Sequence, residues 1–168
     1  SQQAQRLKSE LAFFCKTDEQ NIQTYIAEFP DWETLPYDNF SPHQDIISQR
    51  LDILSNLKNL KTGILIASIS TLLHRLIPAS YLQGRSLTFS LGEELDISAL
   101  RLILENAGYR NVDAVYEHGE YALRGSILDI FPMGSQTPYR IELFDNEIES
   151  LRSFDPETQI SQELINNI

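Results

Sequence analysis

The stretch from Tyr116 to Phe154 constrains the fold more than any other, because it reads as two consecutive β-hairpins with side chains sorted by a period of two. Tyr121 to Phe131 is rich in β-branched and aromatic residues, and Pro132-Met133-Gly134-Ser135 stops it. Tyr139 to Phe144 is a second run, Asp145-Asn146 makes a turn, and Ile148 to Phe154 returns. Alternation sends Tyr139, Ile141 and Leu143 to one face and Arg140, Glu142 and Phe144 to the other. Arg124 is likewise out of phase with Leu123 and Gly125. Each hairpin thus has an apolar face for a core and a second face that carries an Arg. An aromatic beside an Arg on a polar strand face is the composition of a protein-binding hot spot.

The chain has 168 residues, 42 % of them hydrophobic, enough for one large domain or two small ones with their own cores. No apolar run is long enough to span a membrane. The start, SQQAQRLKSELAFFC, lacks the pattern of a signal peptide and reads as mid-helix, so the chain is expected to be cut from a longer protein. Cys15 is the only cysteine, which excludes an internal disulfide and suits a reducing, cytoplasmic setting. The formal net charge is −11 and is uneven: residues 1–84 hold seven basic against nine acidic residues, and residues 85–168 hold six against fifteen. An acidic surface repels phosphate, which argues against nucleic-acid binding by this chain. All six cations of the second half are Arg, a choice suited to planar bidentate contacts.

Taken in order, residues 2–15 have helical spacing at Leu7, Leu11 and Phe14. Ile22 to Ile26 is an expected strand ended by Phe29-Pro30, and residues 31–38 an ordered loop in which Trp32, Tyr37 and Asp38 hold the chain in place. Ser41-Pro42 is expected to open a helix that runs to Asn56. Gly63 to Ile69 reads as a buried parallel strand, after which Ser70 caps a helix from Thr71 to Leu76, closed by Pro78. The composition shifts near Gln83-Gly84-Arg85, which divides the chain into 1–84 and 85–168. Ser86 to Ser90 is then an expected strand. Asp96 or Ser98 caps a helix to Ala107 with Ile97, Leu100, Ile103, Leu104 and Ala107 inward, and Gly108 is its C′ residue. The predicted architecture is a partial α/β layer followed by a small α+β unit of β-α-β-β-β-β order.

The sequence carries few signs of chemistry. No GxxxxGK[ST] occurs, and Lys61-Thr62-Gly63 has the letters of a phosphate loop in the wrong order and ahead of a strand. His43, His74 and His118 have no His or Cys at i+3 or i+4, so no metal site is expected and each reads as a surface or capping histidine. Glu117-His118-Gly119-Glu120 is a turn. Asp129 and Glu142 could pair as carboxylates, but nothing in the sequence supplies the positioning that acid–base work needs.

Two blocks are more specific. DWETLPYDNFSPHQDIISQRL (31–51) and AGYRNVDAVYEHGEYALRGSILDIFPMGSQTPYRIELFDNEIESLRSFD (107–155) closely resemble the bacterial transcription-repair coupling factors, in their N-terminal UvrB-like module. The resemblance implies that 1–84 is part of a degenerate, helicase-like α/β layer that has lost its ATP-binding residues. It implies that 85–168 is similar to domain 2 of UvrB and docks UvrA, the excision-repair protein. The family is an ATP-driven DNA translocase that releases stalled RNA polymerase; its partners also include double-stranded DNA. Its ATP and Mg sites lie in motor domains outside this chain, so no cofactor and no catalysis are expected here. The family's docking residues map onto Arg124 in the RG turn of EYALRG, Arg140 after PY, and Phe144 before the DNE turn. The blander alternatives are a solvated Arg124 paired with Glu142 or Glu120, and a Phe144 turned into the core by a bulge. For the whole chain the alternative is a nucleotide- or DNA-binding fragment of a helicase-like motor.

Overall fold

Good helix formers fill the first residues, and the computed structural model, which describes residues 2–15, 25–34, 39, 41–57, 59–83 and 87–168, has a helix there, α1 (Gln2–Phe14). The chain divides into two compact units, residues 1–85 and 86–168. The expected strand start at Ile22, the loop residues Tyr37 and Asp38, and the composition shift at Gly84-Arg85 lie outside the described residues.

In the first unit, β1 (Tyr25–Phe29) pairs in parallel with β2 (Gly63–Ala67), with Tyr25 opposite Gly63 and Phe29 opposite Ala67. Between them runs α2 (Gln44–Leu57), and α3 (Ile69–Leu72) and α4 (Ala79–Gln83) follow β2. A small core of Ala27, Phe29 and Ile53 joins the strands to α2. Several expectations are corrected here. Leu7 and Phe14 are exposed on α1, so its apolar stripe is not a core face. The helix expected from Ser41-Pro42 begins at Gln44, because the His43 carbonyl is the first acceptor, bonded by the N–H groups of Ile46 and Ile47. β2 is parallel as expected, yet only Ile66 is buried in it and Leu65 is exposed, so it is not the interior strand its composition suggested. Ser68, not Ser70, caps α3: its hydroxyl accepts the Thr71 N–H, while Ser70 donates to Asp31 at 2.7 Å. α3 then stops at Leu72, well short of Leu76.

In the second unit, Asp96 caps α5 (Ile97–Asn106) by accepting the N–H groups of Ser98 and Ala99 at 2.9 and 3.0 Å. Gly108 takes φ +86 just beyond the last turn, a backbone conformation that only glycine adopts without strain. A six-stranded sheet follows in simple sequence order: β3 (Arg110–Asn111), β4 (Glu120–Arg124), β5 (Ile127–Phe131), β6 (Tyr139–Phe144), β7 (Glu147–Phe154) and β8 (Ser161–Leu164). Only β3–β4 is parallel. Both expected hairpins form. Gly125, at φ +64 in the two-residue turn between Arg124 and Ile127, supplies the positive φ that matches the strand twist.

One sheet face packs on α5. Leu100 and Leu104 meet Tyr121, Leu128, Ile130, Ile141, Leu143, Ile148 and Leu151 in one cluster. Removing each such side chain from water stabilises the fold by roughly 1.5–3 kcal/mol. Ile148 and Leu151 both reach this core although three residues apart, because β7 carries one extra residue at Glu149, where its register against β6 shifts. Ile103 and Ala107 are exposed, so the buried seam of α5 is narrower than expected. Ser86, the first residue of the expected strand, lies outside the described residues, and 87–90 do not form a strand. Instead Phe89 and Ile168 exchange backbone hydrogen bonds of 2.9 and 3.0 Å, and residues 92–95 run beside the β6–β7 turn. The sheet also extends by β3 and β8, which the expected β-α-β-β-β-β order lacked.

Candidate docking face

The second face of the sheet is built by the alternation that fills the first. The pairing register aligns Ala122, Asp129, Arg140 and Arg152 as one row across β4 to β7, and Arg124, Ile127, Glu142 and Ser150 as the next. At one end of this face Val115, Ala122, Phe131 and Phe154 form a second apolar cluster. At the other end Phe144 closes β6 with 70 % of its surface exposed. The bulge does not turn Phe144 inward, because the extra residue is in β7 and the alternation of β6 is intact.

Between these ends lies a buried ion cluster. The Asp129 side chain is 0 % exposed and its carboxylate accepts from two arginines on two neighbouring strands. Arg140 approaches side-on, with Nε 2.7 Å from Oδ1 and Nη2 2.9 Å from Oδ2. Arg124 donates through its own Nη2 to Oδ2. Arg140 also donates through Nη1 to Ser161 Oγ at 3.1 Å and to the Gln159 carbonyl at 3.3 Å, and its guanidinium stands 4.9 Å over the Phe154 ring. The hydrogen bond to Asp129 is the chief cause that holds Arg140 above the ordinary arginine pKa, against the opposing effect of burial. The two arginines therefore differ: the Arg140 side chain is 15 % exposed and nearly saturated, whereas that of Arg124 is 48 % exposed with most of its donors open to solvent.

From strand geometry, Arg140 and Phe144 are about 13 Å apart along β6, and Arg124 lies two strands away, about 10 Å, level with Glu142. Arg124, Arg140 and Phe144 are thus brought onto one face within a patch that fits inside the centre of a standard interface. Arg124 pairs with Asp129, not with Glu142 or Glu120. Glu120 is taken by Arg110 at 3.0 Å and by the N–H groups of Tyr116 and Glu117. Asp129 and Glu142 share this face but do not act as a carboxylate pair, since both Asp129 oxygens are engaged by guanidinium groups. The role of Asp129 was missed in the sequence. The signal was the two-residue Gly125-Ser126 turn, which fixes Asp129 opposite Ala122 and so on the Arg124 face.

Elsewhere, Lys61-Thr62 precedes β2 instead of joining a strand to a following helix. His118 donates through Nε2 to the Ser135 carbonyl, 2.9 Å away, and its ring lies 3.9 Å from that of Phe131. Among the described residues no cluster of His, Cys, Asp and Glu has the geometry of a metal site, and no helix is long and apolar enough to cross a membrane.

Comparison with known proteins gives this face a context. Residues 87–168 match the family model of the UvrB interaction domain. The transcription-repair-coupling factor of Haemophilus influenzae is 56 % identical over 143 residues, covering 85 % of this chain and 12 % of that protein. That of Escherichia coli is 50 % identical over 167 residues, 99 % of this chain and 14 % of the relative. The chain belongs to the transcription-repair-coupling factor family. A more distant member, from Staphylococcus aureus, is 33 % identical over 166 residues, again 99 % of this chain and 14 % of the relative. The chain thus spans about one-seventh of the length of these transcription-repair-coupling factors. Arg124, Asp129, Arg140 and Phe144 all fall in the part that matches the UvrB interaction domain.

Proposed function

We propose that this chain is the UvrA-recruiting module of a transcription-repair coupling factor, and that Arg124, Arg140 and Phe144 form the docking face. The observation that carries the reading is the exposed Phe144 beside the arginine pair, on the face that α5 leaves open and within the UvrB interaction domain. Arg and aromatic side chains dominate the energetics of protein interfaces when they sit near the centre. Arg124 offers the free N–H fork for a carboxylate or carbonyl on the partner, and Phe144 the apolar anchor. We read the second unit as similar to UvrB domain 2. The first is the remnant of a degenerate helicase-like α/β layer, a reading that its parallel β1–β2 pair and intervening α2 support. In this proposal the chain works in the cytoplasm as an adaptor without cofactor or catalysis. ATP and Mg, double-stranded DNA and RNA polymerase are handled by the rest of the translocase.

Titrating purified UvrA into the 168-residue chain by calorimetry tests the proposal. Phe144→Ala and Arg124→Ala are each expected to weaken binding by about 10-fold or more, the ~1–2 kcal/mol typical of central anchors. Unchanged affinity in both variants would overturn the residue assignment. Arg140→Ala is a poorer first variant, because it also strips Asp129 of its side-on partner.

A further inference from the structure

Resting on the docking reading above, we propose that Asp129 is a positioning residue of that face: it touches no partner itself but fixes the guanidinium groups of Arg124 and Arg140 in the arrangement the partner meets. Asp129 is wholly buried, sits between the two strands that carry the arginines, and has both oxygens engaged by them. A buried carboxylate is tolerated only when paired, so its retention in the middle of β5 requires both partners in place. The converse holds for Arg124. It stands at the end of β4 beside a tight turn, and among the described residues its hydrogen-bond partner is the Asp129 carboxylate. Without that contact its long side chain samples many rotamers, and ordering it would fall on the binding event. With Asp129 present, Arg124 is already ordered, with one Nη2 hydrogen spent and the remaining fork turned to solvent. Asp129 also separates two like charges that share its Oδ2, and so allows two guanidiniums to stand side by side on one small patch. Arg152 adds a third on the same face, opposite Arg140 on β7 and bonded through Nε to Ser150 Oγ at 3.1 Å.

The test is a double-mutant cycle on UvrA binding with Asp129→Asn and Arg124→Ala, singly and together, in the full chain. Asp129→Asn keeps shape but loses charge and turns an NH2 toward the arginines. It is expected to reduce affinity at least 10-fold in the wild-type background and less than 3-fold when Arg124 is already Ala. Equal losses in both backgrounds, or no loss in either, would overturn the positioning role. If Asp129→Asn does not fold, the unsubstituted chain still decides by NMR. Restricted Nε–Cζ rotation of Arg124 is expected before UvrA is added, and free rotation would overturn the proposal. Asp129→Glu, which keeps the charge, is expected to restore part of the affinity. Failure of the folded wild-type chain to bind UvrA would instead remove the docking reading. Loss of binding in Arg124→Ala with none in Asp129→Asn would remove only the role of Asp129.

Discussion

Arg50 in the first unit and Arg140 in the second both stand over aromatic side chains, and the two are held by different physics. In the first unit the Arg50 guanidinium lies 4.2 Å from the Phe29 ring and 3.9 Å from the Trp32 ring, and donates through Nη1 to the Pro30 carbonyl. Among the described residues its Nη2 has no hydrogen-bond partner. Burial is the main cause that pushes the Arg50 pKa down, opposed by the more distant charge of Asp31. In the second unit Arg140 also stands over a ring, that of Phe154, but the Asp129 carboxylate lies against it and its pKa moves up. Arg50 is therefore a packing residue whose charge is a liability, and Arg140 is half of a pair that neither member can leave. A ring face alone is a weak partner for a desolvated cation, worth about 0.5–2 kcal/mol, whereas breaking a buried ion pair costs several times that.

The sharpest way to break this contrast is to replace both arginines by methionine, which keeps the stem and removes the charge. Arg140→Met is expected to destabilise the second unit by about 3 kcal/mol, because buried Asp129 loses its side-on partner and keeps only the half-exposed Arg124; urea unfolding followed by exchange of the β4–β6 amides reads it. Arg50→Met is expected to change the first unit by no more than about 1 kcal/mol. Trp32, the sole tryptophan, reports that unit by fluorescence. Comparable losses at the two sites would end the distinction. A smaller effect is expected at Asp96, whose replacement by Ala removes the α5 cap and costs about 1 kcal/mol without touching the Asp129 cluster. Thermal melting with unaltered UvrA affinity is the expected signature.

The smallest effect concerns pH. Hydrogen bonding from Ser70, aided by the Trp32 N–H and Ser68, holds the Asp31 carboxyl below its ordinary value against burial. A depressed folded pKa means that the stabilisation is complete above the unfolded value, about 4, and is lost as pH falls through the folded one. Trp32-detected stability of the first unit is expected to be flat from pH 7 to about 5 and to decline below, and Asp31→Asn to flatten that decline.

What was legible in the sequence follows the same division. In the second unit period-two alternation, turn residues and the Asp96 cap agree, and the two hairpins and α5 form as expected. The face of Arg140 and Phe144 was legible for the same reason: on β6 only the side-chain period matters. The partner of Arg124 was not, because it depends on register between strands. β8 gave no signal, since Ser161-Gln162-Glu163-Leu164 has neither period nor composition and is ordered by its neighbour β7. In the first unit, local rules competed. Two serines two residues apart can both cap, and the choice of Ser68 rests on Asp31 engaging Ser70 from 39 residues away. The apolar runs of α1 and β2 promised a deeper core than the exposed Leu7, Phe14 and Leu65 provide.

The shared face of the arginines has one more consequence. Arg124, Arg140 and Arg152 share one face of a unit that otherwise carries a large excess of carboxylates, six cations against fifteen anions over residues 85–168. Such a unit is electrically lopsided. On the docking reading proposed above, an acidic partner is repelled by most of its surface and drawn to the arginine patch, so the field turns the two molecules before they touch. Encounter then begins in the productive orientation, and added salt slows association more than it hastens release.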